Sequence, residues 1–482
     1  MTRRNDTGGF CEFASSYRVG KYLYKNIVKG RQPRKMSEIQ LLKVSNDKRF
    51  IVKEDGTPFF WLGDTAWELF HALTREEADR YLENRAQLKF TVIQAVALAE
   101  LDGIREGNAY GRKPLLQNSW GEYDPIMPDE RINETDKYTY WDHIDYIIDK
   151  AASLGLYIAL LPTWGDKYHI CWGKGPEIFN EENARIYGKW LAKRYQDRKN
   201  IVWVLGGDRQ LITAKHFAII NEMAKGIRDG ETQKHLMTLH PAGTFSSSYH
   251  VHEEEWLDFN MIQSGHDFQN NENYKKVTED YNRKPVKPVI DAEPRYEDHP
   301  IKFNPVNGYF DDFDVRQAAY WALFAGACGH TYGHHSIWCM CKAPTDYFIM
   351  TWQAALNRPG ACQMQYARAL MESRQFTDLI PDQELVAGNY EGANHIKATR
   401  GKDYAFLYSP NGLKLQVNMG RISGENIKAY WYNPRNGEAK YIGEEANKGV
   451  ATFTPPTSGR NNDWILVLDD SRVNYAIPGM VN

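Results

Sequence analysis

The sequence predicts an α/β chain: a (β/α)8 TIM barrel followed by a small C-terminal β-sandwich. Three observations carry this. Between residues 50 and 375, apolar runs alternate eight times with amphipathic helical stretches. After residue 378 the helices stop, and short strand-like runs follow at turn spacings of about 8–12 residues. The chain has 482 residues, enough for one barrel with insertions and a second domain.

The elements follow in order. TPFFWLGDTAW (57–67) is a first apolar strand ending at Gly63 and Asp64, and a helix over 74–90 opens with Thr74 and, three residues on, Glu77, a capping box. FTVIQAVALAE (90–100) is a second strand ending near Gln94, followed by a long polar insertion, 101–137. A helix over 140–155 leads to LYIALLPTWG, and a helix over 180–197 leads to NIVWVLGGDRQ. The remaining strands begin near 236, 258, 287 and 328, with helices over 214–230, 271–283 and 311–327 between them. In the tail, ELVAGNY, HIKATRGKDYAFLYS, LKLQVNMG, NIKAYWYNPRNGEAKYIG, GVATFTPP and NDWILVLDD read as sandwich strands. The expected domains are therefore a basic extension, 1–35, a barrel, 36–376, and a sandwich, 377–482.

Composition narrows the function. A formal net charge of −3 gives no reason to expect a nucleic-acid partner, and no apolar run is long enough to cross a membrane. Residues 1–35 stand apart, with nine Lys and Arg against two acids. They lack the apolar core of a secretory signal, and Met36 reads as a natural start. The six cysteines form no CxxC pair and no ligand-spaced cluster with histidines, so they read as free thiols in a reducing compartment, and a cytoplasmic location is expected.

In a barrel of this type the chemistry sits at the C-terminal ends of the strands. Those ends carry Asp64, Gln94, Trp164 with Asp166, Asp208, His240, Gln263 with His266, Glu293, and Tyr332 to His335. Each alone could be a satisfied structural group; together they read as a site for a ligand rich in hydroxyls. Two acids stand out. Asp208 closes a strand buried on both faces, after two glycines that permit a sharp turn and close approach of a ligand. Glu293 closes the seventh strand, before Pro294. Two carboxylates across a barrel mouth, one protonated and one ionised, are the minimum for cutting a glycosidic bond. The bland reading of Asp208 is a loop ion pair with Arg209. A catalytic metal is the weaker alternative: His240, His250, His252, His334 and His335 could ligate, but the first strand ends without histidine. No phosphate-binding glycine motif and no GxSxG elbow occurs, so neither a nucleotide cofactor nor a serine nucleophile is expected.

The stretches FFWLGDTAWELF, IQAVALAELDG, NAYGRKPL, IVWVLGGD, VIDAEPRYE and GHTYGHHSIW resemble the DUF4038 barrel proteins, a group that includes the apiosidases of glycoside hydrolase family 140. YWYNPRNGEA resembles a stretch of the collagen-binding-type β-domain that often follows that barrel. The resemblance implies a retaining hydrolase, with Asp208 at the acid/base position and Glu293 at the nucleophile. It implies an exo-acting enzyme releasing a terminal sugar such as apiose from pectin-derived oligosaccharides, with no cofactor and no metal. Asp64, Gln94, Asn108, Tyr110, Trp164, His240, Gln263 and Tyr332 are the expected sugar-binding residues, with the 101–137 insertion as one wall of the pocket. Rival readings are a glycosidase of other specificity, endo-glucanase or arabinosidase-like, and a carbohydrate-binding protein without activity.

Overall fold

The computed structural model describes residues 39–132 and 137–480; the basic extension, 1–35, lies outside the described residues, with 36–38, 133–136 and 481–482. Eight parallel strands form the barrel: β1 (Trp61–Thr65), β2 (Val92–Leu98), β3 (Tyr157–Thr163), β4 (Ile201–Gly206), β5 (Met237–His240), β6 (Asn260–Ile262), β7 (Val289–Asp291) and β8 (Gly329–Tyr332). The ladder runs from β6 through β7, β8 and β1 to β5. The β5–β6 seam is closed by single hydrogen bonds: the Asp258 amide donates to the Met237 carbonyl (2.8 Å), and the Thr238 hydroxyl to the Phe259 carbonyl (2.6 Å).

The strands form here because their side chains are apolar on both faces. In β4, Val202 and Val204 pack with Val96, Ala159, Leu161 and Met261, while Ile201, Trp203 and Leu205 pack with Leu191, Ile219 and Met223 of the surrounding helices. That two-sided burial is what a parallel strand under a helical ring requires. The helices follow the sequence closely: Arg75–Gln87, Tyr140–Ser153, Glu181–Tyr195, Ala214–Gly230, Asn273–Asn282 and Asp312–Phe324. Thr74 and Glu77 make the expected capping box. Between β5 and β6 only a single turn, Ser248–Val251, takes the place of a full helix. The insertion after β2 folds as a hairpin, Leu115–Gln117 with Tyr123–Pro128.

The C-terminal domain sets a six-stranded antiparallel sheet against a two-stranded one, Leu415–Asn418 with Val450–Phe453. One expected strand is absent from it. Residues within ELVAGNY form a 3-10 turn, Gln383–Leu385, because the Asp382 carboxylate caps that turn by accepting from the Glu384 amide.

The two domains share a core. On the helix between β7 and β8, Asp312–Phe324, Tyr320 stacks on Tyr408 and Phe324 on Phe406, with ring centroids 5.1 and 5.9 Å apart. Beside them the fully buried Arg316 makes a fork to Asp463, 3.0 and 3.1 Å, and Tyr408 donates to the same carboxylate. Arg374 holds Asp469 in the same way. Removing one partner of such a pair strands a charge in the interior. Arg316→Met is expected to lower stability by about 3–5 kcal/mol, read from the urea midpoint, and Arg316→Met with Asp463→Leu is expected to recover most of that loss. A single variant as stable as the parent would refute it.

Candidate active site

The end of β4 is built on an unusual backbone. Gly206, Gly207 and Asp208 take φ of +87°, +109° and +55°, three left-handed residues in a row. A Cβ on Gly206 would lie 2.5 Å from the His240 carbonyl oxygen, and one on Gly207 2.8 Å from the Gly165 nitrogen. The glycines therefore let three strand ends pack against one another. They do not open room for a ligand, which corrects the expectation from sequence. Asp208 itself carries the strain of a left-handed conformation, a cost met at functional sites.

That packing brings the two acids to one cavity of about 580 Å3, lined by both Asp208 and Glu293. His240 lies between them. The Asp208 backbone amide donates to its Nδ1 (3.3 Å), which leaves Nε2 as the protonated atom, 2.9 Å from Glu293 Oε2. His266 Nε2 lies 3.2 Å from the other oxygen, Oε1. Burial alone would raise the Glu293 pKa, but these two imidazoles outweigh it and hold the carboxyl at about 2. Asp208 is pushed the other way. Burial and the Glu293 charge raise it to about 6, against the opposing pull of His240 and Arg209. The Trp172 indole donates to Asp208 Oδ2 (3.1 Å), and Arg209 Nη1 stands 3.5 Å from the same oxygen. Trp172 and Arg209 thus face Oδ2, and the Gln263 side chain is a further group that opposes the rise. The Arg209 pairing expected as the bland alternative is thus present, but loose, and the guanidinium is spent mainly on the carbonyls of His169, Asp208 and Trp172.

The other expected sugar ligands separate into two groups. Trp164 and Gln263 line the cavity, and buried polar atoms of both, Trp164 Nε1 and Gln263 Oε1, have no protein partner. His240 supports Glu293 from behind, its ring packed against Trp67 and Trp164. The remaining five lie off the cavity wall. Asp64 is fully buried against Arg85 (2.6 Å) and Tyr81 (2.5 Å). Gln94 ties Thr65 to the Ala292 carbonyl (3.2 and 3.1 Å) inside the barrel. Tyr332 donates to Glu297 (2.7 Å). Asn108 caps its own turn, accepting from the Tyr110 and Arg112 amides, and Tyr110 accepts from the Arg75 amide while packing on Tyr138 and His143. None of the insertion's described residues lines the cavity, so those residues do not form the expected wall.

The wall is built instead from loops after β3, β6, β7 and β8. Trp172, Tyr296, His299 and Tyr347 line it, and none was singled out by strand-end position. Glu100 also lines it, closing the apolar run of β2 as Asp208 closes that of β4. Desolvation and the nearby Glu68, Asp208 and Asp166 carboxylates push Glu100 well above the ordinary carboxylate range. Burial pushes the His335 imidazole down to about 3 and that of His299 well below its usual value, so both rings are neutral hydrogen-bonding groups. The histidines weighed as metal ligands are dispersed: His334 pairs with Asp298 (3.0 Å), His252 bonds Asn260 and the Pro285 carbonyl, and His250 stacks on Phe245.

The glycine geometry gives a stability test. Gly56, at φ +88°, has nothing within 4 Å of its Cβ position, so Gly56→Ala reports backbone strain alone, about 1–2 kcal/mol. Gly207→Ala adds contact with Gly165 and Trp164, and is expected to lower the unfolding free energy by more than Gly56→Ala. Equal losses in urea titrations would show that the close approach at Gly207 is not a constraint.

A family model described as "Apiosidase-like, catalytic domain" matches residues 45–378, and one described as "Putative collagen-binding domain of a collagenase" matches 380–469. Among solved structures, a glycoside hydrolase is similar at 37% identity and TM-score 0.80, covering 91% of this chain and 98% of its own. A glycoside hydrolase family 5 protein from Bacteroides vulgatus ATCC 8482 is similar at 35% identity and TM-score 0.82, covering 92% of this chain and 95% of its own. No curated protein matches. With the family model spanning most of the barrel and a cavity that holds a low-pKa glutamate beside a high-pKa aspartate, the chain belongs to the apiosidase-like family and is a glycoside hydrolase.

Proposed function

We propose that this glycoside hydrolase is a retaining, exo-acting enzyme that releases a terminal sugar, apiose, from pectin-derived oligosaccharides. One observation supports the mechanism above the others: two carboxylates on one cavity wall have their pKa values pushed apart, Glu293 to about 2 and Asp208 to about 6. A nucleophile must be ionised and a general acid protonated at the same pH, and this pair meets both conditions below about pH 6. Glu293 attacks the anomeric carbon as the bond to the leaving oxygen breaks, and that oxygen takes the proton from Asp208. Asp208, now a carboxylate, takes a proton from water. The water oxygen attacks the anomeric carbon, the bond to the Glu293 oxygen breaks with its electron pair returning to the carboxylate, and the sugar leaves with its configuration retained. The family supports the choice of sugar, and a cavity of about 580 Å3, within the usual range for small ligands, supports a terminal unit. The free thiols support a cytoplasmic setting.

The pH dependence follows from the signs. Activity requires protonated Asp208, so kcat/KM is expected to fall as pH rises through about 6, while the limb set by Glu293 lies near pH 2. Asp208→Asn is expected to remove the alkaline limb. It is also expected to lower kcat on oligosaccharides by about 10²–10⁴-fold, and by less on aryl glycosides whose leaving groups need no proton. Glu293→Gln is expected to abolish turnover while sugar binding persists. A panel of pectic oligosaccharides and aryl glycosides, with the released sugar identified and its first anomer read by proton NMR, tests the rest. Release of arabinose or glucose, internal cleavage, or an inverted anomer would each reject the corresponding part of the reading.

A further inference from the structure

Trp172 is a cavity residue whose exposure is hard to reconcile with a purely structural role. It lines the cavity yet is 52% exposed, although an indole is among the side chains with most to gain from burial. Nor is it loose. Its edge donates to Asp208 Oδ2 (3.1 Å), and the Arg209 guanidinium covers one ring face at 4.1 Å. Its carbonyl accepts from Arg209 as well. The loop beneath it is tied down by Asp166, which accepts from the Gly175 amide (2.9 Å) and the Lys174 amide (3.2 Å). A planar ring held at its edge, backed on one face and open on the other is a preorganised stacking surface.

Its place relative to the two acids says what would stack there. Trp67 and Trp164 line the cavity and pack on His240, the ring that stands against Glu293. Trp172 is bonded instead to Asp208, the proton donor, and a proton donor stands beside the oxygen that leaves. We propose that the open face of Trp172 is the platform for the leaving group, so that the enzyme selects substrates whose leaving group carries a second sugar ring over those with a small alcohol. This rests on the assignment of Asp208 as general acid.

The test uses the full chain in the Glu293→Gln background, so that intact ligand is measured. Calorimetry compares a pectic oligosaccharide that the parent enzyme cleaves with the monosaccharide that it releases. The expected result is that Trp172→Ala lowers the oligosaccharide-to-monosaccharide affinity ratio by about 10–100-fold, and that Trp172→Phe, which keeps a ring but loses the N–H, retains most of the ratio. An unchanged ratio in Trp172→Ala, or an equal loss for both ligands, overturns the platform. Failure of the underlying mechanism is separately visible: Asp208→Asn would then leave oligosaccharide turnover intact, whatever the binding ratio does.

Discussion

The His240 imidazole joins the ends of three barrel strands, and the chemistry of the cleft depends on it. Its Nδ1 accepts the backbone amide of Asp208 after β4, and its Nε2 faces Glu293 after β7, while the ring itself ends β5. Because one nitrogen is committed as an acceptor, the other must present its proton to Glu293. The ionised form of Glu293 is favoured in that way, with His266 on the second oxygen. Once Glu293 is fixed as an anion, its charge and the shared burial raise Asp208. The opposite shifts of the two carboxylates are thus set by the fold: His240 and His266 favour ionised Glu293, while burial and the Glu293 charge raise Asp208 against His240 and Arg209.

The backbone of β4 is what lets His240 reach both. Gly206 lies against the His240 carbonyl and Gly207 against Gly165, at distances no side chain would allow. The turn they make aims the Asp208 amide back at the imidazole and its carboxylate into the cavity. An aspartate reaches less far than a glutamate, and three consecutive left-handed residues supply the missing reach through the main chain. Strain at Asp208 is held in place by Arg209, whose guanidinium is fully buried among loop carbonyls.

Much of this was legible in the sequence, for a definite reason. Strand starts expected at 59, 91, 157, 201, 236, 258, 287 and 328 fall within two residues of those observed, because strands buried on two faces leave unmistakable apolar runs. Asp208, Glu293, Trp164 and Gln263 were found for the same reason: each follows such a run and does reach the cavity. Glu100 carries the same signal at the end of ALAE and could have been found by it. Trp172 and Tyr296 could not, since they sit on loops whose course is set by Asp166, Arg209 and the strand ends they pack on, none of which local sequence encodes. Asn108 and Tyr110 failed in the opposite direction. Their insertion is polar and long, but a hairpin can fold away from a cavity as easily as over it.

The strand-end residues that proved not to touch the cavity explain why the others can act. Polar groups at this depth need partners, and Asp64 with Arg85, Gln94 with the Ala292 carbonyl, Tyr332 with Glu297 and Asp291 with Asn273 and Ser264 supply them. They form a layer of paired side chains one step below the mouth. Gln94 is the clearest case: by holding the carbonyl of Ala292 it fixes the residue immediately before Glu293, so the position of that carboxylate is set by the barrel and not by a loop. Above this layer, Trp164, Gln263 and His266 line the cavity, and each carries a buried polar atom without a protein partner: Nε1, Oε1 and Nδ1. Sequence position at a strand end identifies both layers alike. What separates the two is where the fold aims the side chain: Asp64, Gln94 and Tyr332 turn to partners inside the barrel, while Trp164 and Gln263 line the cavity.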